Sequence, residues 1–199
     1  FTGKPNEITI SLKPNVLAIA RRTDVGTTTM GLTKDSFTVT SANYDVTIKA
    51  VNDGYVTITP VTDKVTVTVT ENGDIVTYDG NEHSVKGYKS MTADNTLYDV
   101  TTSVKETETA AWTAKGTDAG EYPVGVAAGD FENINKNFTN VAFVIVDGVL
   151  KINPITENTI TITANSASKI YDGAPLTNNG FIFTEGVLVK GDELTAVVE

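Results

Sequence analysis

A 39-residue stretch of this chain is written twice, 94 residues apart and without a gap. Asp24, Gly26, Gly31, Phe37, Asn43, Asp53, Gly54, Ile58, Pro60 and Thr62 recur as Asp118, Gly120, Gly125, Phe131, Asn137, Asp147, Gly148, Ile152, Pro154 and Thr156, ten identities in 39 positions. These are mostly turn formers and core apolars, residue types that pin a backbone path rather than a chemistry. Self-similarity at small-domain length predicts a string of like modules, and a 94-residue module is long enough to bury a modest core of its own.

The local pattern within the repeat is β. About one residue in six is Thr, and Val and Ile are abundant; all three suit a pleated, half-buried surface and lose rotamer freedom in a helix. Val65–Thr70 and Thr159–Thr163 alternate strictly, which puts Val or Ile on one face and Thr on the other. Phe37–Thr40, Asp45–Ala50, Tyr55–Thr59, Ala142–Val146, Val149–Asn153, Phe181–Phe183 and Leu194–Val198 are further expected strands. Asn-Gly and Asp-Gly pairs punctuate them, at Asp53-Gly54, Asn72-Gly73, Asp79-Gly80, Asp147-Gly148, Asp172-Gly173 and Asn179-Gly180. Asn15–Arg22, with Asn15 as its cap, is the best candidate for a short helix. Many short strands with regular turns predict an all-β chain of immunoglobulin-like sandwiches joined end to end.

Two joins set the phase. Tyr55–Asp63 and Val149–Glu157 each end a strand on a proline, Pro60 and Pro154, which refuses further ladder bonds. A join of about four residues with a fixed proline φ is stiff, the mechanics of a stalk. Tyr78-Asp79-Gly80 recurs as Tyr171-Asp172-Gly173 and more loosely as Phe1-Thr2-Gly3, with the Tyr expected to close on a module edge and Asp-Gly to make a tight turn. The anchors predict a module over 1–60 lacking its first strand, a complete one over 61–154, and the truncated start of a third over 155–199. That last segment lacks half its strands and is expected to gain order by pairing an edge with another chain.

At these residues the chain resembles the MBG/YDG-type tandem repeats of bacterial cell-surface proteins. The likeness rests on Tyr78-Asp79-Gly80, Tyr171-Asp172-Gly173, Asp118–Tyr122, Asn137-Phe138, Asp147–Ile152 and Gly191–Leu194, and covers most of 61–199. It implies an extracellular, cell-wall-associated or secreted, non-enzymatic repeat with an immunoglobulin-like sandwich. Asp118-x-Gly120-x-Tyr122 also resembles the tyrosine corner, in which a Tyr hydroxyl bonds a nearby backbone group. The first copy departs from this, with Thr28 where Tyr122 stands and 17 fewer residues between Phe1 and Asp24 than between Tyr78 and Asp118. Pro123 directly after the Tyr predicts an edge or a bulge.

Charge and composition exclude several classes. A net charge of −10 repels phosphate backbones and anionic lipid heads, so nucleic acid is not expected as a partner. No apolar run is long enough to span a bilayer, so no membrane insertion is expected within this segment. The chain begins at Phe1 rather than Met, as expected of an excised piece. Absence of cysteine excludes disulfides, thiol catalysis and thiolate metal sites. A cysteine-free, Thr-rich, acidic β chain fits the exposed surface proteins of Gram-positive bacteria.

His83 is the sole histidine, so no multi-His metal site forms, and a turn role beside Asn81-Glu82 is expected. Trp112 with tyrosines suits either a sugar-stacking platform or the core, and the core is favoured. Asp53, Asp94, Asp99 and Asp147 are oxygen ligands of the type calcium takes, but no D-x-D-x-D-G run occurs and solvated turns are favoured. Glu106 and Glu108 lie in a polar stretch, Lys105–Thr109, without the pairing that hydrolysis needs. Ser166–Lys169 spells S-x-x-K off any helix and without companion motifs, a chance match. No spacing singles out a Lys–Asn isopeptide pair beside a buried acid, and a Thr–Gln ester crosslink needs the glutamine this chain lacks. No catalytic, cofactor or metal residues are therefore assigned, and no enzyme activity is expected.

The expected function is a stalk or spacer whose partners are neighbouring repeats of the same chain. The alternatives are an adhesin module binding a host protein or glycan, with its site in Tyr88–Thr113, where the second copy has its extra length, and an accessory module of a secreted carbohydrate-active enzyme.

Overall fold

A computed structural model of the chain describes residues 8–107, 112–184, 186 and 188–195. Among the described residues the structure is all-β apart from one four-residue helix and two 310 turns. The described residues divide into two compact units, Phe1–Val65 with Asn133–Val141, and Thr66–Glu132 with Ala142–Glu199. The Phe1-Thr2-Gly3 anchor and Glu108 lie outside the described residues, as does most of the strand expected over Leu194–Val198.

The first unit holds two antiparallel ladders. β1 (Thr9–Leu12) and β3 (Phe37–Thr40) pair with Leu12 opposite Phe37, and β2 (Gly26–Thr29) pairs with β4 (Tyr55–Ile58) with Gly26 opposite Ile58. The helix expected over Asn15–Arg22 is absent. Pro14 and Asn15 occupy the centre of a turn closed by the Val16 N–H on the Lys13 carbonyl at 3.2 Å, and Asn15 takes φ 70°. Proline followed by Asn at positive φ is the signature of a type II turn, which leaves no room for a helical first turn. Leu17 and Ile19 stay more than half exposed, so no apolar face rewards a helix there.

Asp45–Ala50 alternates but joins no ladder. Its counterpart one repeat on lies in a strand that pairs with Val65–Glu71, and no described residue takes that strand's place in the first unit. Alternation decides which face a residue takes; a strand also needs an edge to bond.

The second unit contains β5 (Val65–Glu71), β6 (Asp74–Thr77), β7 (His83–Lys86), β8 (Tyr88–Ala93), α1 (Val100–Ser103), β9 (Val104–Glu106), β10 (Thr113–Gly116), β11 (Gly120–Pro123), β12 (Phe131–Asn133), β13 (Val141–Val146), β14 (Val149–Asn153), β15 (Thr161–Ala164) and β16 (Phe181–Thr184). β5 lies between β13 and β8, while β14 lies between antiparallel β11 and parallel β6. β7 pairs with β10, β9 with β12 and β15 with β16. The alternation of β5 is realised as expected: Val65, Val67 and Val69 are buried and the threonines between them are half-exposed. Leu150, Ile152, Val124, Ala114, Trp112 and Phe131 complete the core.

The sequence repeat is also a repeat of hydrogen bonds. β2 with β4 pairs Gly26 with Ile58 and Thr29 with Tyr55; β11 with β14 pairs Gly120 with Ile152 and Pro123 with Val149, each residue 94 further on. Lys13 N–H bonds the Ser36 carbonyl at 2.9 Å and Thr107 N–H bonds the Asp130 carbonyl at 2.8 Å, again 94 apart. The 310 turns Lys34–Ser36 and Ala128–Asp130 stand in the same relation. Pro123 lies on β11, at the edge of its three-stranded sheet, where a missing N–H is tolerated as expected.

Candidate functional site

The corner that precedes β11 is latched as the sequence predicts. The Tyr122 hydroxyl donates to the Asp118 carbonyl at 3.0 Å, and its ring lies over Gly116, where a Cβ would come within 2.3 Å of it. In the first unit the same carbonyl position is bonded from elsewhere. Position 22, one repeat before Gly116, is an arginine, and Arg22 Nε donates to the Asp24 carbonyl at 2.7 Å while Nη1 reaches Thr28 Oγ1 at 3.1 Å. The large side chain sits at 22 in one copy and at 122 in the other, with a small residue at the facing position each time. Reading Thr28 alone missed the compensation.

The two Tyr-Asp-Gly turns share a backbone. Asp79 accepts the Asn81 N–H at 2.9 Å and Asp172 the Ala174 N–H at 3.0 Å, with Gly80 and Gly173 at φ 77° and 81°. The Asn81 N–H first, and His83 Nε2 second at 2.9 Å, hold the Asp79 carboxyl down at about 2. His83 opens β7. The tyrosines differ: Tyr78 donates to Asp192 at 2.8 Å, whereas Tyr171 is 92% exposed and closes on nothing described, against expectation. Asp192 is Tyr78's partner from 114 residues away, a pairing that no local pattern announces.

Within Tyr88–Thr113 the structure forms an open groove of about 490 Å³. One wall is β8, the outer strand of its sheet among the described residues, from Tyr88 to Met91; the other is Val100 and Thr101 of α1 with Val104 and Glu106 of β9. Asp99 caps α1, accepting the Thr101 N–H at 2.9 Å and its hydroxyl at 2.7 Å, and the buried Tyr98 hydroxyl donates to the carbonyl of buried Ser103 at 3.3 Å. Behind the groove Tyr88 meets Trp112 and Phe131 edge-on at centroid distances of 6.0 and 6.1 Å, and Phe131 stacks on Trp112 and Phe143. Trp112 is thus a core residue at 5% exposure, its Nε1 donating to Asp130 at 2.7 Å, and it offers no face to a sugar. The groove presents a lysine, hydroxyls and a carboxylate beside Met91, Val100 and Val104, a mixture suited to an extended polar ligand.

The chain matches no protein-family model, no curated protein and no solved structure to which it was compared.

Glu106 accepts the Tyr88 hydroxyl at 2.5 Å. That bond first, then burial and the nearby negative charge, push the Tyr88 hydroxyl up to about 12. Because the proton is held more tightly in the folded chain, the stability it contributes is complete below the ordinary tyrosine value and lost as pH rises from about 10 to about 12. A phenolate absorbance titration should show a late-titrating tyrosine that both Tyr88→Phe and Glu106→Gln remove. An unchanged titration in the two variants would rule the bond out.

Two of the turn acids weighed for calcium bond main-chain N–H groups. Asp53 accepts the N–H groups of Gly31 and Leu32 at 2.8 and 3.0 Å, and Asp94 that of Thr66 at 2.9 Å. Among the described residues no three His, Cys, Asp or Glu side chains gather where a metal would bind. Lys169 of the S-x-x-K match pairs with Asp172 at 2.8 Å rather than with a serine. Glu71, the buried acid, bonds main-chain N–H groups: Val126 at 2.6 Å and Gly148 at 2.7 Å. Among the described residues no helix is long and apolar enough to cross a membrane.

The proline join of the first unit carries a side-chain clamp. Asn137 donates from Nδ2 to Asp24 at 2.9 Å and accepts the Val25 N–H on Oδ1 at 2.7 Å. Its carbonyl takes the Val61 N–H at 2.8 Å, Thr139 N–H returns to the Val61 carbonyl at 3.1 Å, and Asn140 Nδ2 donates to the Thr62 carbonyl at 3.2 Å. Phe138, 5% exposed, bridges to Val61 in parallel. The loop after β12 therefore grips both the Asp24 corner and the residues that follow Pro60.

Proposed function

We propose that this chain is a stalk or spacer: a non-enzymatic, extracellular repeat region of a bacterial surface protein, made of tandem immunoglobulin-like β modules of the MBG/YDG type. The observation that carries this reading is the Asn137 clamp. Inside the first compact unit it ties the Asp24 corner and the residues after Pro60 of one repeat copy to a loop of the other through side-chain and main-chain hydrogen bonds. A stalk needs stiff segments, and a proline-fixed stretch held by side-chain and main-chain bonds is stiffer than a free one. The conserved geometry of both ladders at a 94-residue offset supports a design in which one unit is reused for reach.

The groove at Tyr88–Glu106 favours a second reading, an adhesin module that takes a host peptide or glycan along the β8 edge. The two separate in a binding panel of matrix proteins and glycans. Deleting 88–113 would remove β8 and Trp112 and unfold the unit, so the control is the surface pair Lys89→Glu and Thr101→Arg. Silence from folded protein supports the spacer. Binding that the pair abolishes overturns it and places the ligand in the groove.

A further inference from the structure

β5 occupies one side of β8, and among the described residues no strand bonds the other. The Asp94 N–H reaches the Thr66 carbonyl at 3.1 Å, and in an antiparallel ladder alternate residues bond the same neighbour. Thr92 and Ser90 therefore turn their main-chain groups to Thr68 and Thr70 of β5, their partners in register. Met91 and Ala93 turn theirs the other way, where no hydrogen bond meets them among the described residues. The groove of about 490 Å³ runs along this strand, with Val100 and Val104 in its far wall.

Lys89 guards one end of the open edge. The register passes from Thr70 opposite Ser90 to Glu71 opposite Tyr88, so Lys89 is a bulged residue with no partner on β5. Its side chain is exposed, and no ion pair among the described residues includes it. A lysine and a bulge on an outer strand turn away uncharged edges, a second β8 included. The same lysine favours an incoming strand that carries a carboxylate.

We propose that β8 takes an extended acidic peptide as an added antiparallel strand. The peptide main chain bonds Met91 and Ala93, whose side chains share a face with the buried Val69 and Val67 opposite them. Every second peptide side chain then lies on that face, toward Val100 and Val104, and is apolar. A carboxylate near the bulge pairs with Lys89. This deepens the adhesin reading, on which it rests, by naming a peptide rather than a glycan and strand addition as the mode.

Main-chain bonding tolerates many sequences, so designed probes serve as the test. They are short peptides alternating valine and serine that carry one aspartate, one lysine in its place, or the aspartate with N-methylated valines. Binding is followed by amide-resolved NMR titration and hydrogen exchange. In the free chain the Met91 and Ala93 amides should exchange faster than those of Ser90 and Thr92. The aspartate peptide should slow them and bind at least about tenfold more tightly than the lysine peptide or its own N-methylated form. Lys89→Glu should reverse the charge preference. Protected Met91 and Ala93 amides in the free chain, no binding of the aspartate peptide, or a preference indifferent to Lys89→Glu overturns the proposal. A glycan held in the groove while those two amides still exchange overturns it and leaves the adhesin reading standing. Silence from the peptides and the ligand panel alike removes both.

Discussion

Replacing Glu71 with alanine should destabilise the second unit by about 3–5 kcal/mol, since two buried N–H groups lose their acceptor at about 1–3 kcal/mol each and a cavity adds to that. Glu71 ends β5 with 3% of its surface exposed, just past the register shift between Thr70 and Glu71. Its two carboxylate oxygens are divided between the Val126 N–H, in the segment after β11, and the Gly148 N–H, in the turn between β13 and β14. One side chain thus closes three chain segments that no ladder joins at that point. Glu71→Gln keeps one acceptor and turns an N–H donor toward the other amide, so about 1–3 kcal/mol is expected for it. Denaturant unfolding followed by circular dichroism measures both. The order alanine, glutamine, wild type in rising stability supports the account. An alanine variant within about 1 kcal/mol of wild type would mean that water satisfies the two N–H groups and that the carboxylate is dispensable.

Trp112→Ala should cost about 3–5 kcal/mol, the usual penalty for emptying a core indole site. Trp112 is the hub of the aromatic cluster, stacked on Phe131 at a centroid distance of 5.4 Å and 28° and met edge-on by Tyr88. Its indole N–H ends on Asp130 Oδ2, the same oxygen that receives the Ala127 N–H at 2.8 Å and closes the second 310 turn. Trp112→Phe retains most of the stacking and leaves Asp130 its backbone partner, so only about 1–2 kcal/mol should be lost. The chain has a single tryptophan, so wild-type fluorescence reports this core directly while the variants are followed by circular dichroism. If Trp112→Ala unfolds at the wild-type midpoint, the indole does not hold the second unit together and a surface role for that segment returns.

Much of the fold was legible because β structure writes itself in period two. The face of β5, the bounds of β14 and the position of β3 follow from alternation and flanking turns alone. Parity also held the signal for Glu71, which continues the buried row Val65, Val67, Val69; a charged residue on a buried face must have partners. The strands missed, such as Gly26–Thr29, His83–Lys86 and Tyr88–Ala93, carry threonine, glycine or polar residues on both faces and borrow their stability from a neighbour. The Asn15 helix failed for a local reason, the Pro14-Asn15 turn, and the Asp45–Ala50 strand for a tertiary one, the lack of an edge.

The candidate sites divide in the same way. The Tyr122 latch was readable because its donor and acceptor lie four residues apart, and the Asp79 and Asp172 turns because theirs lie two apart. Asn137 gripping Asp24 and Tyr78 reaching Asp192 join residues 113 and 114 apart, a separation that carries no information about their distance in space. The 94-residue repeat by itself determined which turns and ladders recur, since turn residues and alternation act within a few bonds of the backbone. Only the tertiary structure decided which copies of a repeated motif are occupied and which stand open, because occupancy depends on what the rest of the chain brings within hydrogen-bonding distance.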